Sequence, residues 1–238
     1  MPGISINTLL RLDRDAQRAA LLKIEETDFR AALQDFILQF EQAERKEFPV
    51  SLYFEVLSLL KTYHFLKEAK VPTPLQIFPL SDILEDCFFA MQLISPTIFS
   101  LQSDRLKFVS VSGKNLLFLL FELLAYLAEN SQSGRVIVSV LEVSRGIILQ
   151  FKSRFSCSMA EFLHAFQKEN HLFRDMCQFF RDAKGQFFYV EETSTQGFFC
   201  FFPKEKNAFV REIFTPDIFS MLQNRFSPFY VALYGERK

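Results

Sequence analysis

Histidine and cysteine, the side chains that most often act as general bases, nucleophiles or zinc ligands, number only 3 and 4 in this sequence of 238 residues. His164 and His171 are seven residues apart with no third ligand nearby, which argues against a metal site. His64 lies in the segment Lys61–Lys67, where an imidazole could accept phosphate, but it has no acidic neighbour. We therefore expect a packing or surface role for His64, with phosphate acceptance as the alternative.

The cysteines and glycines exclude several common kinds of site. Cys87, Cys157, Cys177 and Cys200 show no CxxC spacing, so we expect four reduced thiols and neither a zinc site nor a disulfide framework. None of the 7 glycines lies within ten residues of another, so a glycine-rich phosphate loop cannot be built. GxSxG and HExxH motifs are also missing from the sequence.

Composition narrows the class of protein. A hydrophobic content of 49% predicts a folded chain, and a formal net charge of −1 argues against nucleic-acid binding. The most apolar run, Leu116–Ala128, is too short to cross a bilayer, and the first ten residues lack the pattern of a signal peptide. These features predict a cytoplasmic protein with no nucleic-acid or membrane partner.

The N-terminal part of the sequence, which would help to position any site, is predicted to be helical. Residues 10–45 have helical periodicity without Pro or Gly, as one helix or as two joined near residues 26–28. A second stretch, Pro49–Lys70, completes an antiparallel helical hairpin within residues 1–75. Since a hairpin with one apolar stripe per helix cannot bury both stripes alone, we expect homodimerisation through a four-helix bundle.

Residues 76–204 have the pattern of an α+β domain. Helices at 80–94, 114–129 and 158–183 are interleaved with short strands at 98–101 and 108–111 and with two strand hairpins, 136–152 and 186–202. This order predicts helices on one side of a mostly antiparallel sheet. Residues 205–238 form an apolar C-terminal extension that we expect to pack on the body.

The order of elements resembles the cytoplasmic core of a sensor histidine kinase. Residues 172–203 resemble that family's closing helix and strand hairpin, with Gly185 and Gly197 at its two glycine positions, and Glu122–Asn130 resembles its asparagine-box helix. The resemblance implies a dimerisation and phosphotransfer hairpin followed by an ATPase domain of the gyrase, Hsp90, histidine kinase and MutL type. The expected fold is therefore an antiparallel helical hairpin followed by a histidine-kinase-like α/β sandwich domain.

The departures from the family pattern concern every nucleotide contact. Tyr126 stands where the family has the Asn that coordinates magnesium, and Glu122 aligns with the general base of gyrase-like members. Residues 148–159 lack the family's Asp and glycine pair, and Phe166–His171 replaces its glycine-rich lid. We expect no cofactor, with the vacant groove filled by Phe155, Phe162 and Phe166; a site formed by Glu122 with Lys152 or Arg154 is the alternative.

These observations predict a catalytically inactive histidine-kinase-like signalling protein that acts through protein contacts. The resemblance implies a response-regulator receiver domain or a histidine kinase as the partner of the hairpin. Two alternatives remain within signalling, a phosphotransferase that uses His64 and an inhibitor that forms mixed bundles with a kinase. An enzyme of unrecognised type is the alternative from another class.

Overall fold

A computed structural model describes residues 5–43, 50–68, 75–103, 106–154, 171–192, 195–204, 212–223, 227 and 229–230. The chain divides into two units, one of residues 1–72 with 225–238 and one of residues 73–224. The chain therefore passes from the first unit to the second near residue 72 and returns near residue 224. The boundaries predicted from the sequence, at residues 75 and 204, stay predictions.

The described part of the first unit is helical. Its elements are α1 (Ile6–Leu10), α2 (Arg14–Lys23), α3 (Glu26–Gln42) and α4 (Val50–Glu68). The carboxylate of Asp13 accepts a hydrogen bond from Ala16 N at 2.8 Å, which caps the start of α2. The backbone is extended at Ile24 and Glu25, so residues 14–42 form two helices joined at that point.

Helices α3 and α4 run antiparallel. Phe29 stacks on Tyr63 with ring centroids 3.7 Å apart, and Phe40 stacks on Tyr53 at 5.4 Å. Helices α1 and α2 also contact α4. The apolar side chains of α4 are consequently buried on several sides, namely Val56, Leu57, Leu59, Leu60, Tyr63 and Leu66. Helices α1 and α2 therefore cover part of the apolar surface of the hairpin, and the predicted homodimer stays a prediction.

The second unit is of the α+β class, as predicted. Its elements in chain order are β1 (Gln76–Pro79), α5 (Leu80–Gln92), β2 (Ile98–Gln102), β3 (Phe108–Val111), α6 (Gly113–Asn130), β4 (Arg135–Val143), β5 (Gly146–Ser153), α7 (His171–Asp182), β6 (Gln186–Glu192), β7 (Thr195–Pro203) and α8 (Ile218–Gln223).

Five of the strands form one sheet in the order β2-β4-β5-β7-β6. Strands β2 and β4 are parallel, which requires the crossover through α6, and the other neighbours are antiparallel. Strands β1 and β3 form a separate antiparallel pair. The predicted strands at 98–101 and 108–111 therefore pair with different partners.

Side-chain alternation gives the five-stranded sheet two different faces. The inner face carries Phe99, Phe151, Phe198 and Phe202, and rings of α5, α6 and α7 contact it. The outer face carries the alternate residues, which include Ile98, Leu141, Ile148, Phe188 and Phe199.

Residues 212–223 pack against β1, α5 and α6 within the second unit. Ile213 forms a parallel bridge with Ile77, and the Phe214 ring lies over Gly113, where a Cβ would come within 2.6 Å of Phe214 Cδ1. Phe219 of α8 contacts Phe89 of α5 edge to face at 5.5 Å. The hydrophobic helices of the described ranges are all too short or too polar to span a membrane.

Candidate functional site

Helix α6 positions the two residues that the sequence aligned with the nucleotide site. Glu122 and Tyr126 are one turn apart, with Glu122 only 6% exposed and Tyr126 half-buried. Eleven residues of α6 are buried because the helix packs on the inner face of the sheet. The side-chain amide of Asn130 donates to the Tyr126 carbonyl at 2.8 Å and satisfies a backbone acceptor of the last turn.

Tyr126 belongs to an aromatic cluster on the inner face. Its ring meets Phe198 edge to face at 6.5 Å, and Phe198 also contacts Phe187 and Tyr189 at 5.9 and 4.9 Å. Phe187 in turn stacks on Phe180, which contacts Phe202 at 5.0 Å. We call Tyr126, Phe180, Phe187, Tyr189, Phe198 and Phe202 the aromatic cluster. It joins α6 and α7 to the last strand hairpin.

Lys152 is placed away from Glu122 and Tyr126. It follows Phe151 in β5, and Phe151 pairs with Phe198 on the inner face, so alternation puts Lys152 on the outer face. Its neighbour in β7 is Gly197, where a Cβ would come within 3.2 Å of the Phe151 carbonyl oxygen. Gly197 therefore serves a close approach between strands.

Gly185 serves the junction between α7 and β6. The N–H of Gly185 donates to the Phe180 carbonyl at 2.6 Å, and the N–H of Lys184 donates to the Arg181 carbonyl at 3.0 Å. These bonds form a Schellman motif in which Lys184, at φ 55°, occupies the left-handed position. A side chain at Gly185 would overlap the carbonyl oxygen of Phe201 in β7. Gly185 and Gly197, the two glycines that match the family pattern, are thus both explained by close packing against a neighbouring backbone.

A serine cluster, made of Ser131, Ser133 and Ser153, joins the end of α6 to β4 and β5. The hydroxyls of Ser153 and Ser133 donate to the Arg135 carbonyl at 2.7 and 3.0 Å, and Ser131 Oγ lies 2.6 Å from Ser153 Oγ. Gly134, at φ 61°, makes the turn between them possible. Sequence reasoning missed this cluster, because Ser153 lies far from the other two serines in the sequence and only the pairing of β4 with β5 brings it to them.

The thiols of the described residues are poor nucleophiles. Burial raises the pKa of the Cys87 and Cys200 thiols well above the ordinary range, and it also raises the pKa of Cys177, against the opposing charge of Arg181. Within the described ranges, no three His, Cys, Asp or Glu side chains come together as metal ligands.

Several residues named from the sequence lie outside the described part of the chain. They are Phe155, Cys157, Phe162, His164 and Phe166. Positions 64 and 171 are helical, in α4 and α7, but the side chains of His64 and His171 lie outside the description. Leu60, one turn before position 64, is fully buried.

Comparison with solved structures returns matches to histidine kinases, with TM-scores below 0.5. The Acinetobacter baumannii histidine kinase AdeS is 15% identical with a TM-score of 0.49, over 76% of this chain and 86% of that chain. The catalytic domain of histidine kinase ThkA is 11% identical with a TM-score of 0.48, over 55% and 95%. The ATP-binding domain of PrrB from Mycobacterium tuberculosis is 11% identical with a TM-score of 0.48, over 56% and 98%.

No protein-family model and no curated protein sequence matches the chain.

Proposed function

We propose that this chain is a catalytically inactive, histidine-kinase-like signalling protein that acts through protein contacts in a two-component type of pathway. The observation that carries the proposal is the packing of Tyr126 against Phe198 in the aromatic cluster. This position is the one that the sequence resemblance assigns to the magnesium-binding Asn. An aromatic ring there both removes a ligand and occupies space next to the sheet.

The chemistry at Tyr126 supports the loss of nucleotide binding. Magnesium is a hard cation that takes oxygen ligands in strict octahedral geometry, and an Asn carbonyl oxygen suits it. Asn130 stands one turn after position 126, and its side-chain N–H donates to the Tyr126 carbonyl, which holds this amide at the end of α6. Glu122 remains in place but is buried in α6.

The end of β5 supports the same proposal. In the family that the sequence resembles, an Asp that reads the adenine amino group follows this strand. Here β5 ends at Ser153, whose hydroxyl donates to the Arg135 carbonyl within the serine cluster and which is only 7% exposed. The polar group at this point is therefore used to hold the fold together.

The exposed side of α3 offers a surface for a partner. Asp28, Asp35 and Glu41 are exposed along it, and Leu38 is 53% exposed among them. Arg30 forms an ion pair with Glu26 one turn away, which offsets part of the negative charge. A partner with a basic rim around a small apolar patch would suit this helix, and we propose a receiver domain or a histidine kinase in that role.

Calorimetry with ATP, with and without magnesium, tests the proposed loss of nucleotide binding. We expect no binding heat for the wild type or for Tyr126→Asn, because the replacement restores one ligand but not the missing adenine-reading Asp. An active histidine kinase serves as the positive control. Micromolar binding by the wild type would refute the proposal.

Binding to phosphorylated and unphosphorylated receiver domains tests the proposed action through protein contacts. We expect Asp35→Lys on α3 to weaken binding by up to about tenfold, the effect of about 1.4 kcal/mol. Glu55→Lys is the matched control, because Glu55 is exposed on α4 and the change in charge is the same. Equal effects of the two variants would show that α3 is not the docking surface.

A further inference from the structure

Helix α5 exposes large apolar side chains on the side turned away from the core. Phe89 is 54% exposed and Leu93, one turn later, is 66% exposed. Phe219 of α8 lies against the Phe89 ring, edge to face at 5.5 Å, and is itself 43% exposed. The core-facing side of α5 is made of other residues, which include Leu80, Ile83, Leu84, Cys87, Phe88 and Met91. Phe89, Leu93 and Phe219 thus form an exposed apolar patch that the core of this unit does not use, and we call it the α5–α8 patch.

The same side of α5 is acidic toward the start of the helix. Glu85 and Asp86 lie one turn before Phe89, and Asp82 lies one turn before them, all three exposed. Neither α5 nor α8 contains a Lys or an Arg. Within the described ranges, the ion pairs involve none of these three carboxylates. We call Asp82, Glu85 and Asp86 the acidic row, and it continues directly into the α5–α8 patch.

The stability of α5 explains only part of this charge. Asp82 lies in the first turn, where the N-terminal end of the helix dipole stabilises a carboxylate. Glu85 and Asp86 lie beyond that turn, three and four residues after Asp82, and like charges at these spacings repel one another. A row of carboxylates that repel one another, next to an exposed apolar patch, is complementary to a partner that brings positive charge.

Charge and length together favour a basic amphipathic helix as that partner. A second copy of this chain would place carboxylates against carboxylates or against apolar rings, unpaired in either orientation, and an anionic membrane or a nucleic acid would be repelled. The surface from Asp82 to Leu93 is about 16 Å long, so a partner helix of about eleven residues can lie along it. Apolar side chains at one end of that helix would cover Phe89 and Leu93, and Lys or Arg one to two turns away would face the acidic row.

We propose that the α5–α8 patch and the acidic row form a docking surface for a basic amphipathic helix of another protein. This surface belongs to the second unit, whereas the exposed side of α3 belongs to the first. An interface of this size gives a weak, transient complex. The proposal rests neither on the loss of ATP binding nor on the partner of α3.

Fluorescence anisotropy of the full chain with two labelled helical peptides of about 18 residues, or about five turns, tests this surface. The basic peptide carries Leu on one half of a single helix face and Lys on the other half, and the acidic peptide has Glu in place of every Lys. We expect the basic peptide to bind the wild type with a dissociation constant of about 10–100 μM and to bind more weakly as salt is added. The acidic peptide should bind at least about tenfold more weakly.

Substitutions at exposed positions separate binding from folding. Glu85→Lys should raise the dissociation constant of the basic peptide about three- to tenfold, and Leu93→Ser should raise it about tenfold through loss of apolar contact. Glu55→Lys on α4 and Leu141→Ser on β4 make the same changes at exposed positions elsewhere and should leave the dissociation constant unchanged. In thermal unfolding, Glu85→Lys should be at least as stable as the wild type, because the new charge attracts Asp82.

Three results would overturn the proposal. One is that the basic peptide does not bind the wild type at protein concentrations up to about 1 mM. Another is that the two peptides bind equally, or that Glu85→Lys and Leu93→Ser leave binding of the basic peptide unchanged. The third is wild-type binding to phosphatidylserine vesicles that Leu93→Ser abolishes, which would assign the patch to a membrane. None of these results bears on the calorimetry with ATP, so the two proposals fail separately.

Discussion

Replacement of Gly185 by Ala distinguishes a packing glycine from a nucleotide-site glycine. The new methyl group would overlap the Phe201 carbonyl oxygen and come within 3.2 Å of Phe180 Cδ1. Because the carbonyl belongs to β7, which pairs with β5 and β6, relief requires a shift of the strand hairpin against α7. Overpacking of this kind costs about 1–3 kcal/mol, and the backbone contact places this variant at the upper end, about 2–3 kcal/mol.

The neighbouring residue supplies the matched control. Lys184 is exposed and adopts a left-handed conformation that costs a residue with a Cβ roughly 1–2 kcal/mol. Lys184→Gly removes this cost but adds freedom to the unfolded chain, so we expect a net gain of up to about 1 kcal/mol. Two substitutions at adjacent positions should thus change the stability in opposite directions.

Thermal and urea unfolding of the wild type, Gly185→Ala and Lys184→Gly measures these differences in stability. At roughly 2–4 °C per kcal/mol for a chain of this size, Gly185→Ala should lower the Tm by about 4–12 °C. Lys184→Gly should raise it by up to about 4 °C. A Gly185→Ala protein as stable as the wild type would refute the packing argument and restore a ligand-related reason for this glycine.

Three further predictions concern other parts of the chain. Gly113→Ala should push Phe214 off the start of α6 and make residues 212–223 more sensitive to limited proteolysis, which mass spectrometry of the fragments would show. Unchanged cleavage would contradict the contact. Because burial raises the pKa of the Cys87 and Cys200 thiols, the unfolded state loses protons first, and stability should fall above about pH 9 by up to about 1.4 kcal/mol per pH unit for each thiol. Cys87→Ala should flatten that fall in pH-dependent urea unfolding. His64→Ala should leave phosphate exchange with a phosphorylated receiver domain unchanged from wild type in a radiolabel assay, whereas a loss of transfer would favour the phosphotransferase alternative.

Local patterns predicted the elements of the second unit well. The apolar run around Leu116–Ala128 gave α6, and the turn at Gly146 gave the hairpin of β4 and β5. The pairing of β2 was not predictable in this way, because its partner β4 begins more than thirty residues later, beyond α6. In the first unit, the break at Ile24 and Glu25 carries no Pro or Gly, so the sequence alone did not decide between one helix and two.

In the candidate site, too, local sequence features were predictable and long-range contacts were not. Tyr126 was recognisable from the sequence as a departure from the asparagine-box pattern, because that comparison needs only neighbouring residues. Its contact with Phe198, seventy-two positions later, depends on the packing of α6 against β7 and was not predictable. Lys152 was named with Glu122 as an alternative site, and strand alternation places it on the outer face.

The return of the chain to the first unit has a consequence for the order of folding during synthesis. Phe229 is 4% exposed and belongs to the segment that completes the first unit. Domains generally fold as they leave the ribosome, from the N-terminus onward, at about 5–20 residues per second. Here residues 225–238, which belong to the first unit, are made about 8–30 seconds after residue 72, because the entire second unit is made between them. The second unit is continuous in sequence, so all of its residues are available before the last segment of the first unit is made.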